Sequence, residues 1–551
     1  MNTEKRMFLT LFLIFVIFFT WYLLFPPPKK ELPKRPAIEE KEVVATPESA
    51  KVAGLKPAPT SPTNLPLLVS KVIEPATPTA DKPEREITVE TLNYNAVFTT
   101  IGATLKSFQL KNYPDSLGHP LQLIPEGKRN LGLLLFPQEK ETDLSDVIFQ
   151  SSSQNIVLAE SQKEGDITFE TSIGESVLVR KKFHFYDKKF QFSLQIEIEN
   201  PQKVDLGRRY ELGWQSGLRH SEKNKREDMN YFGVISLLGT ELATDRLGEF
   251  HKKPKISHTG NIGFTGVRTK YFLAAIIPDS SSKAEVSRGE KKEEGILSAF
   301  LTRTITERVN DRWRIFVGPI DADFLKTVGC GLEIVADTGP SWLRWLTRFI
   351  LQFLLILHQV IPNYGVVIIV FSLVVNILFF PLTFSSMKSM REMQRLQPKL
   401  KQIQQQYKKD PHRLQQETMK LYKEHHVNPF GGCLPLLIQI PVFISLYNVL
   451  KDTVKLRGAH FVLWIKDLSV PDAITYVNGF PIAILPILMG AVMFFQQKMT
   501  ITDPRQKMMI YMMPVMMTVI FYNFPSGLVL YWLTSSILSM AEQYLLIRQS
   551  K

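Results

Sequence analysis

Long apolar runs alternate with strongly polar segments along this chain. The first apolar run covers residues 7–25, and five more lie near 363–383, 431–450, 480–498, 508–523 and 526–546. Because an α-helix needs about 20 apolar residues to cross the hydrocarbon core of a bilayer, the pattern predicts six transmembrane spans. Residues 1–25 lack a small-residue cleavage site, which favours an uncleaved N-terminal transmembrane anchor over a signal peptide.

Two further patterns separate the first span from the second. Residues 26–84 are rich in Pro, Ala, Thr, Lys and Glu, and therefore predict a flexible tether. Residues 85–335 alternate between apolar and polar positions with a period of two, most clearly from Phe190 to Ile198. They predict an extracytoplasmic antiparallel β-sandwich domain. Its sequence contains no nucleophile elbow, zinc motif or phosphate loop, so a binding or scaffolding role is expected.

The segment 341–360 begins with a cluster of tryptophan and arginine side chains, and its remaining residues are mostly apolar. This composition predicts an interfacial amphipathic helix that leads into the second span. The predicted fold class is therefore multi-domain, with an α-helical polytopic membrane core of six spans, the N-terminal anchor included, and the β-sandwich domain outside the cytoplasm.

A basic segment, 384–427, lies between the second and third spans and predicts a helical hairpin. Apolar residues recur at spacings of three and four on its first arm, namely Met393, Leu396, Leu400, Ile403 and Tyr407. Asp410 and Pro411 supply an N-cap and a first helical residue for a second arm, whose stripe is Leu414, Thr418 and Leu421. The positive charges of the hairpin include Lys388, Arg391, Arg395, Lys399, Lys408 and Lys409. A solvated strut and a docking arm both fit this pattern.

Basic residues also predict the orientation of the chain. The positive-inside rule places this hairpin and both termini in the cytoplasm. One loop disagrees, because 451–478 should lie outside yet carries Lys451, Lys455, Arg457 and Lys466. The excess of basic over acidic residues is smaller in this loop than in the hairpin, so the hairpin determines the predicted orientation.

The later spans carry amide, hydroxyl and aromatic side chains and no full charge before Glu542. The polar and aromatic positions are Ser372, Asn376, Gln439, Gln497, Asn523, Tyr531, Trp532 and Thr534. Each alone is explained by an interhelical hydrogen bond, typically worth about 0.6 kcal/mol. Together with helix breaks expected at Pro381, Pro435, Pro441 and Pro525, they predict a hydrated cavity within the membrane.

Composition excludes several other classes. The formal net charge of +13 suits anionic lipid headgroups or RNA, but no RNA-binding or zinc-finger pattern supports a specific nucleic acid. The two cysteines, Cys330 and Cys433, give neither a disulfide framework nor metal-ligand spacing. No cofactor or metal is expected.

Several ordered motifs then resemble one known family. They are Pro381-Leu382-Thr383, Leu396-Gln397-Pro398-Lys399, the run from Asn428 to Phe443, and the run from Phe524 to Trp532. These motifs resemble the YidC/Oxa/Alb membrane-protein insertases, and the β domain resembles that of the Gram-negative YidC form with a large periplasmic domain.

The resemblance implies an insertase and folding chaperone of the bacterial inner membrane, with its core at 361–551. Such a protein moves transmembrane segments of nascent membrane proteins through a hydrophilic groove, alone or with the Sec translocon, and without covalent catalysis. The expected groove contacts are Ser372, Asn376, Gln439, Gln497, Tyr531 and Trp532.

The sequence departs from the family pattern at two points. The family usually carries a groove arginine five residues before the Pro-Leu-Thr motif, where this chain has Asn376. After Glu542 only Arg548 and Lys551 are basic, so the tail that would bind a ribosome is short.

Two other functions remain open at this point. A secondary transporter or channel would require an inverted repeat and paired charges, which the sequence does not display. An envelope enzyme would require a catalytic constellation in the β domain.

Overall fold

The computed structural model describes residues 84–549, apart from 116–117, 175, 251–252, 254, 280–282, 292–295, 409, 428–433, 478–479 and 501–506. The predicted anchor, nearly all of the predicted tether, and Lys409 lie outside these residues.

Among the described residues, eighteen strands form the β domain between Glu86 and Pro319. They are β1 Glu86–Glu90, β2 Tyr94–Thr99, β3 Thr104–Pro114, β4 Pro120–Gln122, β5 Gly132–Leu135, β6 Thr142–Asp143, β7 Ile156–Val157, β8 Glu164–Ile173, β9 Val177–Tyr186, β10 Gln191–Glu199, β11 Arg209–Trp214, β12 Gly233–Leu238, β13 Glu241–Arg246, β14 Lys255–Arg268, β15 Phe272–Pro278, β16 Lys283–Lys291, β17 Ile296–Thr304 and β18 Val309–Pro319. Three short helices accompany them, α1 Lys225–Met229, α2 Leu247–Phe250 and α3 Ala322–Val328.

The strands form two sheets of unequal size. A 5-stranded sheet has the order β4-β3-β2-β1-β7, and its β1–β7 pair is parallel. A 13-stranded antiparallel sheet runs β6-β5-β11-β17-β16-β14-β15-β18-β10-β9-β8, with β12 and β13 attached through β14. The prediction of a domain rich in antiparallel sheet is confirmed, whereas the simple two-layer sandwich stays a prediction.

Period-two alternation explains how the sheets pack. Phe192 of β10 pairs with Phe185 of β9, and Leu194 pairs with Phe183, so these apolar side chains share one face. Phe98 of β2 contacts that face, with its ring centroid 4.7 Å from that of Phe183 and 6.0 Å from that of Phe192. The aromatic cluster therefore joins the two sheets.

The C-terminal part of the chain is helical. Its helices are α4 Arg344–Val360, α5 Tyr364–Arg395, α6 Gln397–Gln406, α7 Pro411–Glu424, α8 Leu434–Asp452, α9 Ile484–Thr500, α10 Lys507–Phe521 and α11 Ser526–Gln549. A two-stranded hairpin, β19 Thr475–Val477 with β20 Phe480–Ile482, lies between α8 and α9. Buried side chains including Phe371, Leu446, Met489 and Leu528 form a core between these helices.

One helix among the described residues, Tyr364–Arg395, is both long and apolar enough to cross a bilayer, and Ile484–Met499 and Ile510–Phe521 are shorter apolar helices. The count of six spans therefore stays a prediction. The segment predicted to be interfacial forms a 3-10 turn, Ser341–Leu343, followed by α4. Within α4, Ile350 and Leu354 are buried, whereas the apolar side chains of Trp345 and Phe349 are exposed.

Two of the expected helix breaks are wrong. Pro381 lies inside α5 and Pro441 lies inside α8, and both helices continue through these positions. Helices that pack together in a membrane tolerate such prolines because neighbouring groups satisfy the freed carbonyls. Pro435 is the second residue of α8, where a proline loses no hydrogen bond. Pro525 directly precedes α11, so that boundary is confirmed.

Candidate functional site: a polar network between apolar helices

Helices α5 and α11 share a hydrogen-bonded group of small polar side chains. The hydroxyls of Ser372 and Ser535 are joined by a 2.8 Å hydrogen bond. The amide of Asn376 donates to Ser535 Oγ at 3.1 Å and to the backbone carbonyl of Ser372, one turn earlier on its own helix, at 2.8 Å. Ser372 is completely buried, so this contact lies within the packed helices.

A third helix joins the group through Tyr531. The side-chain amide of Gln439 on α8 donates to the Tyr531 hydroxyl, and Ser372 Oγ donates to the Tyr531 backbone carbonyl at 3.3 Å. The Tyr531 side chain is fully buried, with its ring centroid 5.8 Å from that of Phe371. Ser372, Asn376, Gln439, Tyr531 and Ser535 therefore form one polar network that connects α5, α8 and α11.

Trp532 lies outside this polar network. Its ring packs against Phe443 and Phe521, with centroid distances of 5.3 Å and 5.2 Å. Phe524 joins the same cluster, 5.2 Å from Phe521. Trp532, which follows the buried Tyr531, thus belongs to an apolar aromatic wall.

Gln497 on α9 is also separate from the polar network. Its Oε1 is buried and has no hydrogen-bond partner among the described residues. Thr534 donates to the carbonyl of Leu530 on its own helix, and Asn523 is exposed just before α11. Four of the six predicted contacts are therefore brought together by the fold.

Ser535 is the network member that the sequence did not single out. It lies four residues after Tyr531, one helical turn away, so both project from the same face of α11. That spacing is the signal that could have identified it.

The polar network is neutral, and its chemistry follows from that. Hydroxyl groups both donate and accept, and carboxamides carry two donors and one acceptor oxygen, so each member can exchange its partner for water or for a peptide group. No group of three or more His, Cys, Asp or Glu side chains that could hold a metal ion occurs in the described part of the chain.

The basic hairpin begins on the same helix as Ser372 and Asn376. Its small core consists of Leu396, Leu400, Leu421 and Val427, with Met393, Ile403 and Tyr422 packed against them. Asp410 caps α7 by accepting from the backbone N–H of Arg413, as predicted. Arg395 is 75% exposed and pairs with Glu392 at 3.0 Å on the surface of the same helix.

Comparison with known proteins identifies the family. The family model described as "60Kd inner membrane protein" matches residues 356–551, and that described as "YidC periplasmic domain" matches residues 86–353. The chain is 38% identical to a membrane protein insertase YidC of Syntrophus aciditrophicus over 480 residues, which cover 85% of this chain and 86% of that protein. The chain belongs to the YidC family of membrane protein insertases.

Another YidC insertase, from Geotalea daltonii, is 34% identical over 550 residues, with 98% of each chain covered. A crystal structure of an active YidC insertase is 20% identical and covers 84% of this chain and 93% of its own, with a TM-score of 0.38. The resemblance to YidC predicted from the sequence is confirmed. This YidC-family chain is an inner-membrane protein with a periplasmic domain rich in antiparallel sheet and a helical C-terminal core.

Proposed function

We propose that this protein moves transmembrane segments of newly made proteins into the inner membrane through a hydrophilic groove, and that it assists their folding. The observation that supports this proposal is the polar network, which links three largely apolar helices without using any full charge. In this proposal the packed helices separate to admit the substrate, and its polar segment then contacts Ser372, Asn376, Gln439 and Tyr531. Gln497 offers a further acceptor, and Trp532 forms part of an apolar wall.

The physical task is to carry a short polar tail or loop past hydrocarbon. Each peptide group left without a hydrogen-bond partner there costs several kcal/mol, so a partly hydrated path lowers the barrier. Partition of the substrate's own apolar helix then drives the step, at about 0.3 to 0.6 kcal/mol for each Leu, Ile, Phe or Val at the helix centre. The proposed mechanism makes and breaks no covalent bond.

The proposed arrangement of the chain follows the same logic. The anchor is 1–25, the periplasmic tether 26–84, the periplasmic β domain 85–335, the interfacial helix 341–360, and the core 361–551 with its cytoplasmic hairpin 384–427. Both termini would then face the cytoplasm.

The proposed partners are nascent membrane proteins and, for some substrates, the Sec translocon. The exposed charges of the hairpin, from Lys388 to Lys408, would attract acidic substrate segments and anionic lipid headgroups. Because Asn376 is neutral, that attraction would come from the hairpin and not from the polar network. The short basic tail would limit contact with the ribosome.

A complementation assay in insertase-depleted cells tests this function. We expect Asn376→Leu to slow insertion of substrates with polar translocated segments by about threefold, the equivalent of one interhelical hydrogen bond of about 0.6 kcal/mol. Asn376→Arg should favour substrates with acidic segments, and deletion of the hairpin should impair both classes. Ile377→Leu, a conservative change on the same helix, serves as the matched control. Equal insertion of every substrate by the Asn376→Leu variant and its parent would remove the amide from the proposed path.

A further inference from the structure

A polar cavity of about 320 Å³ lies where the periplasmic domain meets the helical core. The periplasmic domain contributes one wall and the ends of α8 and α11 contribute the other. The polar side chains that line it are Asn224, Glu227 and Asn230 on the first wall, and Tyr447, Lys451, Asn523 and, from the loop after α8, Ser469 on the second. In the membrane placement of the proposed function, α8 ends and α11 begins at the periplasmic side, so the cavity lies at the level of the periplasmic lipid headgroups.

Hydrogen bonds hold the two walls together. The Tyr231 hydroxyl donates to the Asp452 carboxylate at 2.8 Å, and the Tyr271 hydroxyl donates to the backbone carbonyl of Lys451 at 2.8 Å. Tyr271 is fully buried. These hydrogen bonds between the two walls fix the positions of the side chains around the cavity.

Opposite charges lie close together inside this cavity. Lys451 Nζ is 3.9 Å from a Glu227 carboxylate oxygen and donates to the Tyr447 hydroxyl at 3.0 Å. Glu227 also accepts from Lys270 Nζ at 3.0 Å, so two ammonium groups share one carboxylate. An ionised carboxylate offers about four lone-pair directions, which leaves Glu227 able to accept from a further donor. The Asp452 carboxylate, bonded to Tyr231 and next to Lys451, balances the second ammonium. These four groups therefore carry no net charge, which suits a ligand that brings one anionic and one cationic group.

We propose that this cavity binds a phosphoethanolamine group, the headgroup of phosphatidylethanolamine. The phosphate would accept from Lys451 and from the amide of Asn523, while the primary ammonium would donate to Glu227. The Tyr447 ring, whose centroid lies 5.3 Å from Lys451 Nζ, adds an aromatic face beside the cationic end. A lipid bound here would contact the periplasmic domain and two core helices at once. The inference rests on the membrane placement in the proposed function, but not on insertion activity.

Lipid retention by the full-length protein tests the proposal. The protein is incorporated into nanodiscs of phosphatidylethanolamine, phosphatidylcholine and phosphatidylglycerol in equal amounts, and the lipid retained after gentle detergent release is identified by native mass spectrometry. We expect phosphatidylethanolamine to be enriched about tenfold over both others, the effect of one charge-assisted hydrogen bond. The quaternary nitrogen of choline has no N–H to donate to Glu227, and glycerol carries no ammonium.

Matched variants locate the lipid within the protein. Lys451→Met should reduce the retained phosphatidylethanolamine by about tenfold, the effect of losing its charge-assisted hydrogen bond, and Asn523→Leu should reduce it less. Lys466→Met, which changes an exposed lysine on the loop that follows α8, should leave retention at the level of the parent. Equal retention of all three lipids would exclude the membrane lipid as the ligand, and an unchanged preference in both Lys451→Met and Asn523→Leu would overturn the proposed site.

A second arm distinguishes a lipid from a soluble source. Soluble phosphoethanolamine is titrated into the detergent-solubilised protein by calorimetry. Saturable binding that Lys451→Met abolishes, without lipid enrichment, would assign the same chemistry to a free phosphoethanolamine ligand. Lipid enrichment without soluble binding assigns it to the membrane lipid, and the absence of both overturns the site. Insertion assays on the same variants report separately on the proposed function.

Discussion

At the scale of single residues, Lys181 is a lysine completely buried in the β domain. Its register on β9 places it between the inward-facing Val179 and Phe183. The ammonium donates to three backbone carbonyls, those of Gly102 at 2.9 Å, Ala103 at 3.3 Å and Leu131 at 2.8 Å. Burial lowers the pKa of Lys181 to about 7. The three carbonyls favour the charged form and burial opposes it.

That pKa predicts a pH-dependent stability. In the unfolded chain Lys181 keeps an ordinary lysine pKa, so between pH 7 and about 10.4 the unfolded state binds more protons than the folded state. Its contribution to the free energy of unfolding therefore rises with pH in this window, by at most about 1.4 kcal/mol per pH unit, and is flat below pH 7.

Lys181→Met should remove this pH dependence and destabilise the β domain by about 1–3 kcal/mol at pH 8, because the buried carbonyls lose the N–H donors that the neutral amine keeps at that pH. Denaturant unfolding of the full-length protein, followed by the fluorescence of the buried Trp214 and Trp313, measures both effects. Lys182→Met is the control, since the adjacent side chain faces outward and is 44% exposed. Parallel pH profiles for Lys181→Met and its parent would contradict the prediction.

Amides within apolar runs were visible in the sequence because hydrocarbon offers them no partner, and Asn376 and Gln439 do join the polar network. Ser535 was missed because a serine in a helix often bonds to its own backbone, so its position one turn after Tyr531 did not by itself mark it as a network member. Gln497 was grouped with the others, although its oxygen has no partner among the described residues. Sequence alone therefore identified candidate polar groups but not which of them meet.

At the scale of elements, the hairpin is continuous with the helix before it. Helix α5 runs from Tyr364 to Arg395 and supplies the start of the first arm, and α6 completes that arm. The apolar stripe of the first arm was predicted, and Leu396 and Leu400 are buried as expected. On the second arm Leu421 is buried with them, whereas Leu414 and Thr418 are not part of that core. An apolar stripe shows which face of a helix is buried. It does not show how far the partner helix is shifted along that face.

Leu400→Asp should separate the two arms of the hairpin. A carboxylate in a core of four buried residues costs several kcal/mol, more than such a small core supplies. Backbone amides of α7 should then exchange with solvent about as fast as in an unfolded peptide, as measured by hydrogen exchange on the full-length protein. Gln405→Asp, which places the same charge on an exposed position of α6, should leave the protection of α7 unchanged. Slow exchange in the Leu400→Asp variant would show that other contacts hold the hairpin.

At the scale of the whole molecule, the basic loop after α8 is explained by its neighbours. Arg457 donates to Glu222 at 2.7 Å and to the backbone carbonyls of Pro114 and Ser221 at 2.8 Å and 2.9 Å. Lys455 pairs with Asp321 at 3.4 Å and also with Asp323. Acidic groups of the β domain therefore neutralise these positive charges. The sequence does not show these pairs, which is why the loop disagreed with the positive-inside rule.

The same loop also supports the start of α11. The backbone N–H groups of Ser526 and Gly527 donate to the carbonyls of Val470 and Leu468 at 2.8 Å and 3.0 Å. The first N–H groups of a helix otherwise lack partners, so the loop fixes where α11 begins. The loop therefore links the β domain to α11, the helix that carries Tyr531 and Ser535.

Arg457→Gln should loosen this connection. Removal of one partner from a largely buried ion pair costs about 3 kcal/mol, because the carboxylate of Glu222 is left without its counter-charge. Hydrogen exchange should become faster in the loop and at the first residues of α11. Lys466→Gln, at an exposed position of the same loop, should change neither. Unchanged exchange at α11 would mean that the loop holds the helix without help from the β domain.

The long separation in sequence between Asn376 and Ser535 has a consequence for how the protein is made. The two residues are 159 positions apart. At about 5–20 residues per second, a ribosome needs roughly 10–30 s to add Ser535 after Asn376. During that interval the amide of Asn376 keeps the bond to the carbonyl of Ser372, which needs only its own helix. In the membrane placement proposed above, local satisfaction of this amide lets α5 enter the bilayer early, before the last helix exists to complete the network.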